Sequence, residues 1–271
     1  MVQPHQSDRV MATPQSAVAS SAQVAAQAQA RLAAGLAMIA GYMDAYGYIT
    51  FKTYVSFMSG NTTQTGYLTG QGNFAAAMPS LLAIGSFVIG VFTGTWLTHS
   101  GTHRVRRLQF GAVAALLAVS IGLTLLGWAG GAVSIATLSV AMGIMNTALS
   151  HVGKESVSLT FVTGTLSKMG THLALALTRA PLQDAQGSWD SHGHRAFLML
   201  GIWASFLIGA LLGGAATSRF GVWVLLLPLL ILLALAVIGG ARQVGSEHAG
   251  QGRSAETEDD TTRIGSPALR R

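Results

Sequence analysis

Long apolar runs, separated by short polar segments, fill the chain between Leu32 and Gly240. Six of these runs are roughly 20 residues long, the length that an α-helix needs to cross about 30 Å of hydrocarbon. Helices fit such runs because backbone groups in lipid must find their partners within the segment. Pro228, inside the last run, predicts a kink. The predicted spans are Leu32–Phe51, Pro79–His99, Leu108–Trp128, Ala132–Ser150, Ala196–Ala216 and Phe220–Gly240.

Charged residues are too scarce for a soluble domain. They make up 10% of the chain, against about a quarter in soluble proteins, and none occurs from Gly111 to Ser150. Hydrophobic residues make up half of the chain and the mean hydropathy is +0.47. The absence of cysteine excludes disulfides and thiolate metal sites. These features predict an all-α polytopic membrane protein and argue against a soluble enzyme.

Polar, low-complexity segments flank the apolar region. Residues 1–31 are rich in Ala, Gln and Ser and lack the apolar core of a signal peptide. Residues 241–271 are polar, with an acidic cluster at Glu256–Asp260. We expect both to be disordered cytoplasmic tails, with some helix near Ser21–Arg31. The membrane domain is then residues 32–240.

The basic residues predict the orientation of the spans. With the N-terminus in the cytoplasm, most of them fall on the cytoplasmic side, and only Lys52 and Arg219 fall outside. We therefore expect both termini inside a bacterial cytoplasmic (inner) membrane. The net charge of +6 is explained by this placement, and no basic stripe or aromatic platform indicates nucleic-acid binding. The inner set is Arg9, Arg31, Arg104, Arg106, Arg107, Lys154, Lys168, Arg179, Arg195 and Arg242.

Two segments are too polar to span a membrane and too apolar to be ordinary loops. They are Val55–Gly70 and Leu159–Leu173, and they match position by position. Phe57 aligns with Phe161, and Gly60 aligns with Gly164. The match includes the hydroxyl groups: Ser56, Ser59 and Thr63 align with Thr160, Thr163 and Ser167. Such matched segments indicate an internal repeat.

The spans before these segments match as well. Gly41-Tyr42-Met43-Asp44 aligns with Gly143-Ile144-Met145-Asn146, so the predicted repeats are residues 32–128 and 132–240. Three spans per repeat is an odd number, so the second copy inserts upside down. The predicted fold is a 3+3 inverted repeat of six transmembrane helices with two polar re-entrant or broken segments, an architecture of secondary transporters.

The same motifs carry a family resemblance. GYMDAYGY, FMSGNTTQ, MGIMNTAL and FVTGTLSKMG together resemble the YoaK-like family of bacterial membrane proteins, over about residues 35–240. The resemblance implies a six-span protein of the cytoplasmic membrane. It implies no substrate, because the family has no settled activity. Ser59 stands where Thr is commoner in the family motif.

Asp44 is the one acidic residue inside a predicted span. A carboxylate at the centre of a membrane helix costs about 2.5–3.5 kcal/mol on insertion scales, so we do not expect it to face lipid. It either binds a proton or cation in a cavity, or it is hydrogen-bonded where the first span breaks. The aligned Asn146 favours the structural role, since an amide cannot transfer a proton. Lys168 either neutralises an anionic substrate, pairs with Asp44, or extends to the cytoplasmic interface.

The function that we expect is transport of a small polar or anionic solute by a secondary transporter or channel-like protein. Its two polar segments would meet near the membrane midplane, and six spans are a small scaffold, which favours a homodimer. The alternatives are a structural or regulatory membrane protein and an intramembrane enzyme. We expect no cofactor and no metal, although His99, His103, His192 and His194 lie near span ends. The predicted solute-binding residues are Asp44, Ser59, Gly60, Asn61, Thr62, Thr63, Asn146, Thr163, Gly164, Thr165, Ser167 and Lys168.

Overall fold

The computed structural model describes residues 14–99, 105–128, 130–148, 151–152, 155–156 and 162–238. Almost all of this part of the chain is helical. The helices are α1 (Pro14–Phe51), α2 (Met58–Gly70), α3 (Phe74–His99), α4 (Val105–Leu125), α5 (Gly131–Thr147), α6 (Val162–Leu177) and α7 (His192–Phe220). A 3-10 turn (Gly221–Leu225) leads into α8, residues 226–238. A two-residue strand, β1 (His151–Val152), pairs antiparallel with β2 (Glu155–Ser156).

Helix α3 places small residues inside and large apolar residues outside. The exposed side chains of α3 include Val88, Ile89, Phe92 and Trp96. Soluble monomers rarely expose such a large apolar surface to water, whereas lipid chains solvate it. The segments Phe74–His99, Val105–Leu125 and His192–Ile238 are long and apolar enough to cross a membrane, and α5 is a shorter apolar helix. The chain is therefore a membrane protein. The buried residues of α3 are Ala77, Ser80, Ala83, Ser86, Gly90 and Gly94.

Two sequence predictions about boundaries need correction. Helix α1 begins at Pro14, well before the predicted start of the first span at Leu32, because the Ala and Gln content of this segment favours a helix that continues into the first apolar run. Pro228 was expected to kink the last span, but it lies in the first turn of α8, where a missing N–H costs little. The break between the last two apolar runs is at Gly221, whose φ of 54° is left-handed. Residues 1–13 and 239–271 lie outside the described residues.

The seam between α1 and α7 is the most extensive helix contact, and glycines allow it. A Cβ on Gly209 would collide with the backbone of Met38, and one on Gly213 would meet the backbone of Tyr42. Gly41 of α1 meets the backbone of α7 in the same way. The contact of Met38 with Gly209 is followed by that of Tyr42 with Gly213, so α1 and α7 run parallel.

The seam between α3 and α5 is built in the same manner. A Cβ on Gly90 would collide with the carbonyl of Val140, and one on Gly94 would meet Ile144. Gly143 of α5 meets the backbone of α3. These helices also run parallel. The short helices pack on neighbours in the chain: α2 lies on α3, and α6 lies on α7.

Candidate functional site

Asp44 is buried in the last two turns of α1, and its carboxylate accepts hydrogen bonds from the segment that connects α1 to α2. Its Oδ1 accepts backbone N–H bonds from Val55 (3.0 Å), Ser56 (2.7 Å) and Phe57 (3.3 Å). Its Oδ2 accepts a bond from the Ser56 hydroxyl at 2.6 Å. The residue is 3% exposed. A single carboxylate thus accepts hydrogen bonds from three backbone N–H groups just before α2 begins at Met58. Without it, these buried groups would need another partner, such as water.

A second polar contact fixes the start of α2. Asn61 is fully buried and pairs with the backbone of Tyr54 in both directions. The Tyr54 N–H donates to Asn61 Oδ1 at 3.0 Å, and Asn61 Nδ2 donates to the Tyr54 carbonyl at 2.7 Å. Gln64 Nε2 donates to the carbonyl of Lys52 at 3.0 Å, and Lys52 itself adopts a left-handed φ of 56° that ends α1. The connection between the two helices is therefore rigidly hydrogen-bonded.

The remaining predicted residues of the first segment lie on the outer face of α2. Ser59, Thr62 and Thr63 are exposed. The hydroxyls of Thr62 and Thr63 donate to the carbonyls of Met58 and Ser59 in their own helix. Gly60 is half-buried, and a Cβ there would press on the ring of Phe57. This face of α2 keeps hydroxyl oxygens available as acceptors.

The second polar segment forms α6, and its first residues, 159–161, lie outside the described part of the chain. Thr165 is buried, Gly164 and Lys168 are half-buried, and Thr163 and Ser167 are exposed. On α5, Asn146 Oδ1 is buried and finds no hydrogen-bond partner among the described residues. Asn146 aligns with Asp44, so the same sequence position carries a bonded carboxylate in one half and an open acceptor in the other.

The structure groups the predicted residues into two separate sets. Asp44 and Asn61 lie near the connection of α1 and α2, whereas the second set is itself divided: Asn146 lies on α5, and the others lie on α6, which packs against α7. Among the described residues, α2 and α6 do not form an extensive contact with each other. Asp44 takes all its hydrogen bonds from residues 55–57 and forms no ion pair with Lys168. The expectation of two segments facing one midplane cavity thus gains no support from these contacts.

One polar cluster was missed from the sequence. Gln109 of α4 is 2% exposed, and its Nε2, which has two N–H groups, lies within hydrogen-bonding distance of the Gly94 carbonyl (3.1 Å), Thr98 Oγ1 (3.1 Å) and Thr147 Oγ1 (3.0 Å). It therefore ties α4 to both helices of the α3–α5 seam. An amide within a predicted span was the available signal, because such a group in lipid needs partners.

Two histidines, on α6 and α7, form a pair that the sequence did not indicate. His172 Nδ1 of α6 lies 2.9 Å from His192 Nδ1 at the start of α7. His99 contacts the Thr95 carbonyl at 3.1 Å, and His103 lies outside the described residues. In the part of the chain that the structure describes, no group of three or more His, Asp or Glu side chains could hold a metal ion.

A buried ion pair closes the loop before α7. Arg195 donates to Asp190 through Nε and Nη2, both at 2.9 Å, and its Nη2 lies 3.2 Å from Asp184 Oδ1. Hydrogen bonding from Arg195 holds the pKa of Asp190 below its ordinary value, against the opposing effect of burial. The predicted interfacial cation Arg195 is therefore fixed and neutralised.

Apolar helices with small buried residues and locally satisfied polar groups define an integral membrane protein. The chain belongs to the family described as "Protein of unknown function (DUF1275)", whose model matches residues 32–238. This family includes the YoaK-like proteins, so the resemblance of the motifs is confirmed. No curated protein and no solved structure matches the chain.

Proposed function

We propose that this membrane protein transports a small polar or anionic solute, and that it is built from two inverted three-span repeats. The observation that carries the proposal is the equivalence of the two glycine seams. The alignment that pairs Gly41 with Gly143 also pairs Met38 with Val140. Met38 meets Gly209, and Val140 meets Gly90. The first helix of each half therefore packs on the second long helix of the other half through corresponding residues.

The direction of the helices supports an inverted relation between the halves. Helix α5 runs parallel to α3, as the contacts of Gly90 and Gly94 show. If α1 and α3 cross the membrane in opposite directions, as consecutive spans do, then α5 is antiparallel to α1. Inverted repeats of this kind underlie many secondary transporters, in which one unit rocks against the other.

The charges of the two halves favour an anionic solute on the side of the second repeat. In the first half the carboxylate of Asp44 occupies the amides before α2. In the second half Asn146 carries no charge, its Oδ1 is unpartnered among the described residues, and Lys168 adds a positive charge on α6. An anionic solute would complement the charge of Lys168.

The proposal is tested by flux into liposomes that contain the purified full chain. The probes are chloride, phosphate, formate, acetate and lactate, each driven by an imposed gradient and followed with an entrapped pH- or anion-sensitive dye. At least one anion should enter faster than into protein-free liposomes. Lys168→Gln should reduce that flux about tenfold or more, because removing a charge from a low-dielectric site costs over 1.4 kcal/mol.

The matched control is Arg219→Gln, which removes an exposed charge from the last turn of α7. This variant should leave the flux unchanged. Flux that equals the protein-free value for every probe, with protein shown to be folded by its thermal transition, would contradict the proposal. It would favour the structural or regulatory alternative instead.

A further inference from the structure

The seam between α1 and α7 opens at its N-terminal end into a groove of about 330 Å³. Ala30 and Ala34 of α1 form one wall, and Phe197 and Gly201 of α7 form the other. Phe197 is 74% exposed, so the groove is bordered by a side chain that faces the lipid. Since the apolar spans begin near this level, the groove runs from the membrane interface into the hydrocarbon.

Small residues keep this part of the seam open. Ala26, Ala30 and Ala34 recur every fourth residue along one face of α1, and all three line the groove. A Cβ added to Gly201 would meet nothing within 4 Å. About two turns further along α7, Gly209 lies against the backbone of Met38. The two helices therefore close tightly on one side of the groove and leave room for a narrow apolar chain on the other.

The interfacial end of the groove offers hydrogen-bond donors. Arg31 lines it, is exposed, and forms no ion pair with any residue that the structure describes. Trp189 also lines it, and its buried indole Nε1 has no hydrogen-bond acceptor among the described residues. The neighbouring Arg195 is already neutralised by Asp190 and Asp184. The guanidinium of Arg31, which has no ion pair among the described residues, and an unused indole N–H thus lie at one end of an apolar groove.

We propose that this groove binds an anionic phospholipid, with the phosphate at Arg31 and Trp189 and one acyl chain along Ala30, Ala34 and Gly201. A free anion would gain nothing from the apolar walls, whereas a zwitterionic lipid would bring a cation to Arg31. Basic pockets between transmembrane helices bind acidic headgroups in this way. The proposal is independent of transport, because binding requires neither flux nor the residues of α2 and α6.

Native mass spectrometry of the full chain released from detergent tests this proposal. The probes are phosphatidylglycerol, phosphatidylcholine with the same acyl chains, and inorganic phosphate. The wild type should keep one phosphatidylglycerol in preference to phosphatidylcholine, and excess phosphate should not displace it. Arg31→Gln should lower the preference about fivefold, since one basic residue near an acidic headgroup contributes about 1 kcal/mol.

Two further variants make the test decisive. Gly201→Leu should fill the groove and reduce binding of both lipids without loss of thermal stability, because the space around Gly201 is open. Arg107→Gln removes another exposed interfacial charge and should not change the preference. Equal preference in Arg31→Gln and Arg107→Gln would overturn the role of Arg31. Unchanged lipid binding in Gly201→Leu would overturn the groove as the site, and displacement by phosphate would indicate a free-anion site.

Discussion

Asp44 illustrates how a carboxylate can be stable when it is buried within a helix. Its four hydrogen bonds come from the segment between α1 and α2, and three of them are from backbone N–H groups. A carboxylate in apolar surroundings is tolerated only when such bonds replace water. The geometry therefore supports the structural role that the sequence left open beside proton coupling.

Substitution of Asp44 should separate these roles. In Asp44→Asn, Oδ1 can still accept the three amide bonds and the new Nδ2 can donate to Ser56, so we expect a loss of about 1 kcal/mol in unfolding free energy. Asp44→Ala leaves three buried amides without a partner and should cost about 3–5 kcal/mol. The measurement is unfolding in mixed micelles. Ser56→Ala, which removes only the Oδ2 contact, is the control. Equal stability of the Ala and Asn variants would contradict this account.

The ion pair of Asp190 and Arg195 predicts a stability that depends on acid. The folded-state pKa of Asp190 is lowered, chiefly by its hydrogen bonds to Arg195. Its contribution is therefore complete above the unfolded pKa and is lost as the pH falls through the lower folded value. The thermal midpoint should drop below about pH 4. Asp190→Asn should cost about 3 kcal/mol at pH 7 and should show a shallower acid decline. A parallel decline in both proteins would refute the assignment.

At the scale of helices, glycine seams make the most direct prediction. Gly209→Ala and Gly90→Ala each place a methyl group against the backbone of the facing helix, which cannot move aside as a side chain can. Each should lower the unfolding free energy by about 1–3 kcal/mol. Gly85→Ala, on α3 with nothing within 4 Å of its Cβ, should be neutral or stabilising by up to about 1 kcal/mol. Comparable stability of Gly85→Ala and Gly90→Ala would show that the seam is not closely packed.

The sequence predicted the helices better than it predicted their contacts. Apolar runs located α3, α4 and α7 because lipid solvation selects long apolar segments. The same rule missed the start of α1, since the Ala- and Gln-rich segment after Pro14 resembles a tail in hydropathy but favours helix in backbone propensity. The polar segments were located correctly as α2 and α6. Their surroundings were not, because the partners of Asp44 and Asn61 lie several residues away and depend on how the chain turns.

At the scale of the whole molecule, the two glycine seams and the two short helices suggest one organisation. Helix α1 packs on α7, and α3 packs on α5, so in the proposed repeat each half would supply a helix to the seam of the other. Asp44 and Asn146 align in sequence but differ in charge, so the two proposed repeats would be chemically unequal at this position.

The orientation of the whole chain can be tested directly, because the protein contains no cysteine. Single cysteines can therefore be introduced and labelled without background. Basic residues collect on the cytoplasmic side of membrane proteins, so a cysteine at Arg106, in the first turn of α4, should resist an impermeant thiol reagent in intact cells. A cysteine at Gly130, just before α5, should react. Both should react after the membrane is permeabilised, which controls for burial. The reverse pattern would place both termini outside. Labelling of both sites in intact cells would mean that α4 does not cross the membrane, and this would remove the basis for an inverted repeat.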